Sequence, residues 1–589
     1  KSLLHKSHQS APANVQIIPL RLQYAWRAKD KNGGATMKNK VIIILLGLAV
    51  IFAAWTFWPK TKKPPTEQLT PIVTANAGDV RGFVQNGLNV YLGLPYAQPP
   101  TGARRFKSPE PLPQWDGVFD AYEFGAVCPQ VYDAVELDDP KEDVNNEDCL
   151  TLNIWSPADD GEKKAVMVFI HGGGFVAGAS KSHLYHGDVI AKNGDVVFVS
   201  LNYRPGLMGY FDFSVIGGPE YADSANNGLR DQLLALQWVQ DNIAAFGGDP
   251  GNVTVFGESA GGASISALLA VDQPQRYFRR AIVMSGSPHH TADDSRAIAE
   301  LIRDETGIAS PFLWKNLPAI AIMYIQGQVS AAVGSPVSDL LFAPTYGENN
   351  VMKRSTLEAI AQGNTQGIDL MIGSMGNELS YWSFYDTETD HMCDQTIEEN
   401  IVLSINPEMS AQFMKMYDLY QQNPERAGYH EGEIILNIED DYVFHVPALQ
   451  LAEAQSGVAN TYLYRVDYPV NLPEQPCQDN RAPHGSELPF VFGKINETSG
   501  TDFIGLSRDA QDDAVRARLM DEMMTAWVNF AKTGNPNGGS VQGWDLFASE
   551  SQPTMRFGLT TRLENAPFRD EYLLMSEFMK SFNVFDALK

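Results

Sequence analysis

Cysteine is scarce in this chain. Only Cys128, Cys149, Cys393 and Cys477 occur in 589 residues, and no two form a C-x-x-C pair. This excludes a disulfide-dense scaffold and leaves thiolate metal binding or dithiol redox chemistry without its usual ligands. His183 and His186 have the spacing of one helix face, but the pair reads as surface or core histidines, so no metal and no organic cofactor is expected. Basic blocks are absent too. The 44 Lys and Arg residues face 71 Asp and Glu, a net charge of −27. Such a surface repels a phosphate backbone, so nucleic acid is not expected as a partner. There is no short-period repeat and no low-complexity tract.

One long hydrophobic run stands out. Val41 to Trp58 spans 18 residues without a charge and is closed by Pro59, Lys60, Lys62 and Lys63. It is longer than the roughly 7–15 apolar residues of a cleaved signal, and no small-residue cleavage pattern follows it. Trp55 and Trp58 suit a membrane interface, so an uncleaved anchor is the preferred reading. Residues 1–36 then form an extension upstream of a natural start at Met37, residues 37–60 the anchor or signal segment, and 61–72, with Pro64-Pro65, a linker. The membrane is expected as a partner only through that segment, with the rest of the chain in an extracytoplasmic compartment.

From residue 73 to 589 the composition is steady and globular, 44% hydrophobic over the whole chain. Short apolar runs predict strands at Val166–Ile170, Val196–Leu201, Val253–Phe256, Ala281–Met284, Leu370–Ile372 and Tyr462–Val466. Amphipathic stretches lie between them, most clearly Leu229 to Ile243. The alternation predicts one large α/β domain, a mostly parallel sheet with helices on both faces and its site at the carboxyl ends of the strands.

Val253-Thr-Val-Phe-Gly-Glu-Ser-Ala-Gly-Gly262 is the most informative stretch. A buried strand runs into a G-x-S-x-G turn and then a helix, which lifts the Ser259 hydroxyl clear of the chain. Glycines flank the serine because a β-carbon there would clash across so tight a turn. Upstream, Val166 to Ile170 runs into His171-Gly172-Gly173-Gly174. A glycine loop lets backbone N–H groups approach a developing oxyanion, and such a loop before a nucleophile elbow is the pairing expected of lipases and esterases. Ala260, directly after the serine, would supply a further N–H.

The stretch Asn227 to Gly262, with Glu147-Asp-Cys-Leu-Thr-Leu-Asn-Ile-Trp155 and Leu92 to Phe106, resembles the signatures of the type-B carboxylesterase family, which groups carboxylesterases, cholinesterases and bile-salt-activated lipases. The resemblance implies an α/β-hydrolase fold, a serine, acid, histidine order along the chain, and Gly173, Gly174 and Ala260 as the oxyanion donors. His484, in Ala482-Pro-His-Gly-Ser-Glu-Leu-Pro-Phe-Val-Phe-Gly493, resembles the family's histidine segment. His445 reads instead as packed at a helix start. Glu378 matches the family's acid, although Leu379 stands where the family usually has glycine. Asp386 and Glu388 are the alternatives, and Glu258 reads as a poor partner for His484 because it adjoins the nucleophile. The family also bridges the pair matching Cys128 and Cys149. Cys393 and Cys477 flank the acid and histidine segments, which leaves a second bridge open.

These residues imply a serine-dependent carboxylic ester hydrolase acting through an acyl-enzyme on a small ester substrate. Lipases and sterol-ester hydrolases of the same family are the near alternative. Neuroligin-like adhesion proteins share the fold without the nucleophile, and retention of Ser259, Glu378 and His484 speaks against that reading. Cholinesterases hold a quaternary ammonium against a tryptophan in the first disulfide loop. Residues 129–148 here contain no tryptophan and only Tyr132 as an aromatic, so uncharged esters are expected.

Overall fold

A computed structural model describes residues 66–130, 146–286, 290–333, 341–348, 350–381, 407–472 and 481–581. The Val41–Trp58 segment, Tyr132, Asp386, Glu388, Cys393 and Cys477 lie outside the described residues. No described helix is long and apolar enough to cross a membrane.

Among the described residues the central sheet has 11 strands. In chain order they are β1 Phe83–Gln85, β2 Leu88–Pro95, β3 Thr151–Pro157, β4 Lys164–Ile170, β5 Val197–Leu201, β6 Gly248–Glu258, β7 Arg280–Met284, β8 Asp369–Met375, β9 Thr461–Val466, β10 Pro553–Phe557 and β11 Arg562–Asn565. Across the sheet the order is β11-β10-β9-β8-β7-β6-β4-β5-β3-β2-β1. The run from β10 to β5 is parallel throughout, and antiparallel strands close both edges. All six strands expected from the sequence lie within the parallel run. The strands β1 to β3, β10 and β11, toward the two edges, were not expected.

The parallel strands are apolar on both faces because both are covered. Val166, Val168 and Ile170 point with Val253 and Val255 into one core, which holds Leu229, Leu236 and Val239 of helix α1 (Asn227–Asn242) and Ile265, Leu268 and Leu269 of α2 (Ala260–Leu269). Met167, Phe169 and Phe256 point the other way, against Leu519, Met523, Trp527 and Phe530 of a long helix at Ala510–Thr533. This period-two alternation turns each strand into a wall between two cores.

The chain joins the domain earlier than residue 73. Gln68 accepts from the Val84 N–H, the Thr70 N–H donates to Gly82, and Thr70 is buried, so residues 68–70 of the expected linker are already hydrogen-bonded to the sheet. Cys128 and Cys149 form a disulfide.

Candidate active site

Strand β6 ends at Glu258 and α2 begins at Ala260, so Ser259 alone makes the corner, at φ 58° and ψ −124°. A non-glycine residue in this region is strained by about 1–3 kcal/mol and needs an over-determined frame. The frame is close packing of glycines. A β-carbon on Gly257 would stand 2.6 Å from Ile170 O and 2.8 Å from Gly261 C, and one on Gly261 would meet Ile170 O at 2.0 Å. The Ser259 N–H donates to Met284 O at 2.9 Å, and its carbonyl accepts from Ala263 at 2.8 Å. The serine is partly exposed although its neighbours Glu258 and Ala260 are buried.

The glycine loop lies directly against this corner. A β-carbon on Gly172 would fall 2.8 Å from Glu258 O and 3.0 Å from Ser259 Cβ. Gly173 (φ 103°), Gly174 (φ 59°) and Phe175 (φ 62°) then turn left-handed in succession. The Gly173 carbonyl takes the N–H groups of Val176 and Ala177, at 3.0 and 2.9 Å. The N–H groups of Gly173, Gly174 and Ala260 have no acceptor among the described residues. His171 is buried, and that burial pushes its pKa down to about 4, so the loop adds donors without a positive charge.

His484 and Glu378 come from distant segments and meet beside the corner. Glu378 opens a 3-10 turn, Glu378–Tyr381, just after β8 and is fully buried. Its Oε1 accepts the Met375 N–H at 2.8 Å, and its Oε2 lies 2.6 Å from His484 Nδ1. That contact assigns the ring proton to Nδ1 and leaves Nε2 as the accepting nitrogen. Leu379 has no left-handed φ, so no glycine is required there. Its side chain instead packs with Leu436 and Phe444, and the Phe444 ring lies 5.0 Å from that of His484.

The expectation for Glu258 is corrected. Its Oε1 is 3.0 Å from His484 Nε2, close enough for an ion pair but not aligned for a hydrogen bond. The imidazole is carried on a separate loop, so the adjacency of Glu258 to Ser259 in sequence does not keep Glu258 from reaching it. Burial lowers the affinity of His484 for its proton, but Glu258 and Glu378 outweigh this and raise its pKa to about 9. Burial raises Glu258 to about 7, against the pull of the imidazole. Glu487, which was not anticipated, is a third carboxyl in the cluster. It is fully buried, and burial with the charges of Glu258 and Glu378 holds it far above its ordinary range. Its position three residues after His484 was the available signal.

A helix α3 (Glu431–Asp440), continuing into a π-helical turn Asp441–His445, braces the acid and the base together. Asp440 accepts the Leu379 N–H at 2.7 Å, and His445 contacts Met375 O at 2.6 Å through Nε2 and Asp441 at 2.5 Å through Nδ1. Glu433 pairs with Arg481 just before His484. His445 thus packs at the helix junction before Val446, and through Met375 it also supports the acid. His186 is a packing residue, its ring stacked on Phe124 at 4.9 Å and bonded to Lys181 O at 3.0 Å.

The carboxylesterase family model matches residues 69–574. The chain is 36% identical over 502 residues to the para-nitrobenzyl esterase of Bacillus subtilis, covering 84% of this chain and 96% of that one. It is 32% identical over 518 residues to the cocaine esterase of Homo sapiens, covering 82% and 88%. Among solved structures, the Geobacillus stearothermophilus carboxylesterase EST55 superposes with a TM-score of 0.74 at 33% identity, over 86% of this chain and 99% of that one. With the α/β-hydrolase sheet and the serine corner already in place, this match over most of the chain shows that the protein belongs to the carboxylesterase family and is a carboxylic ester hydrolase of the serine esterase class.

Proposed function

We propose that Ser259 is the nucleophile, His484 its general base and Glu378 the carboxylate that orients the base. Ser259 Oγ attacks the ester carbonyl while His484 Nε2 takes its proton. The N–H groups of Gly173, Gly174 and Ala260 hold the oxygen that becomes negative, and His484 returns the proton to the departing alcohol. Water then attacks the acyl-Ser259 by the same route. Glu378 keeps the imidazole in the tautomer that accepts at Nε2 and stabilises the imidazolium as it forms. The observation that carries this reading is the 2.6 Å contact between His484 Nδ1 and Glu378 Oε2 beside a partly exposed corner serine.

The substrates in this reading are uncharged esters of short to medium acyl chain. The spread of relatives supports a permissive pocket, since they include a para-nitrobenzyl esterase, a cocaine esterase and a medium-chain fatty acyl-CoA hydrolase. The domain works outside the cytosol in this reading, tethered through residues 41–58, and the Cys128–Cys149 bridge supports an oxidising compartment. Ser259→Ala tests the chemistry. The variant should lose covalent labelling by a fluorophosphonate and several orders of magnitude in ester turnover, with its circular dichroism unchanged. Turnover near that of the parent protein would overturn the assignment.

A further inference from the structure

The glycine loop is held from behind by a residue outside the catalytic set. Gln130 is 3% exposed and uses both ends of its amide. Its Oε1 accepts the Gly178 N–H at 2.9 Å, while its Nε2 donates to Gly178 O and to Cys128 O, each at 3.0 Å. Both peptide groups of Gly178 are thereby gripped by one side chain. Gly178 is the back wall of the loop: at φ +111°, a β-carbon there would stand 2.2 Å from His171 Nδ1 and 2.4 Å from Gly172 O. The turn between this wall and the corner serine is closed by the Val176 and Ala177 N–H groups on Gly173 O. A shift of Gly178 therefore passes to Gly172–Gly174 with little room to be absorbed. Gln130 has a rigid base of its own, two residues beyond Cys128, whose bridge to Cys149 ties it to the chain entering β3.

We infer that Gln130 is a positioning residue that couples the Cys128–Cys149 bridge to the oxyanion donors. The inference rests on the proposed roles of Gly173, Gly174 and Ala260. Gln130 touches no reacting atom. It sets where the donors stand when the carbonyl oxygen becomes negative, and such placement is felt in the transition state far more than in the bound ester. A purely structural glutamine would affect stability but not the balance between kcat and KM.

The test uses the full chain with active sites counted by fluorophosphonate titration. Gln130→Met keeps the volume and removes the hydrogen bonds, and Gln130→Ala removes both. For a neutral butyrate ester, kcat per titrated site should fall about 10- to 100-fold in both, the range expected for a misplacement of about 1 Å, with KM within about twofold. Affinity for a trifluoromethyl ketone, which forms a tetrahedral oxyanion on the serine, should fall by the same factor as kcat/KM. Cys149→Ser should lose kcat in the same way, and adding it to Gln130→Met should cost little more because both cut one tether. An unchanged kcat per site, a loss confined to KM, or unchanged ketone affinity in Gln130→Met would each overturn the inference. If the glutamine variants do not fold, an unchanged kcat in Cys149→Ser overturns it alone. Failure of the underlying oxyanion reading would look different, because the parent enzyme itself would then not bind the ketone tightly.

Discussion

Replacing Glu258 by Gln should move the pH profile of this esterase. His484 stands between two carboxylates, Glu378 2.6 Å from Nδ1 and Glu258 3.0 Å from Nε2, and its pKa is raised from 6.5 to about 9 even though burial pulls the other way. A general base must be neutral, so kcat/KM of the free enzyme should climb with pH and level off only near 9. An opposite charge at this distance typically moves a pKa by about 1–3 units. Glu258→Gln should therefore lower the acidic limb by about 1–2 pH units, with Glu378 still holding it above the ordinary histidine range. The plateau should fall as well. The imidazolium forming in the transition state loses the same partner, so a charge that raised the pKa also lowered the barrier from the neutral form. With a half-developed charge the two effects share the change, giving a plateau lower by about 3- to 10-fold and, near pH 7.5 where Glu258 is still charged in the parent, a rate higher by a similar factor. The assay is pH-stat hydrolysis of a neutral butyrate ester from pH 5 to 10, with the low-field imidazole N–H resonance followed alongside. Glu487→Gln is the control, since the Glu487 carboxyl is held far above its ordinary range and so carries little charge. It should move the limb much less. A limb that stays within about 0.3 unit in Glu258→Gln would refute the reasoning, because a buried charge this near the proton-accepting nitrogen cannot be silent.

Three further outcomes are expected. Removing the Cys128–Cys149 bridge, whose partners are 21 residues apart, should cost about 3 kcal/mol in the chain-entropy account, read as a lower urea midpoint; an unchanged midpoint would contradict it. Glu439→Gln should stabilise the fold at alkaline pH. Burial, aided by the charge of Asp440, raises the Glu439 pKa from 4.5 to about 8, and its Oε1 has no hydrogen-bond partner. The folded state thus keeps a proton that the unfolded chain releases, so this group's stabilisation is present below pH 4.5 and is lost as pH rises toward 8. The variant's Tm should exceed that of the parent at pH 8.5, by the equivalent of about 1–3 kcal/mol, and converge with it near pH 5; the opposite trend would show that Glu439 is ionised in the fold. Butyrylcholine should be hydrolysed with no higher kcat/KM than a neutral butyrate ester of similar size and reactivity. A tenfold preference for the cation, about 1.4 kcal/mol, would mean that another aromatic serves as its binding face.

The strained corner at Ser259 was legible in the sequence because the residues that form the turn itself lie within one short stretch. A β-branched strand, two glycines and a helix former occupy consecutive positions, and the clash that excludes a β-carbon at 257 and 261 arises within the same turn and against the neighbouring strand. The parallel strands were legible for a related reason, since burial on both faces leaves a continuous apolar run that no exposed segment resembles. The edge strand Phe83–Gln85 carries only three residues, too few to show a period, and its existence depends on its pairing partner. Glu378 and His484 were named from their segments, but with 106 residues between them their meeting was implied only by the family resemblance. What only the tertiary structure decided is charge and orientation: Glu258 reaching Nε2, Glu487 buried beside it, and Gln130 gripping Gly178. Each depends on which distant groups share a dry space, and in such a space a neighbouring charge or an unmet hydrogen bond outweighs any preference a residue carries by itself.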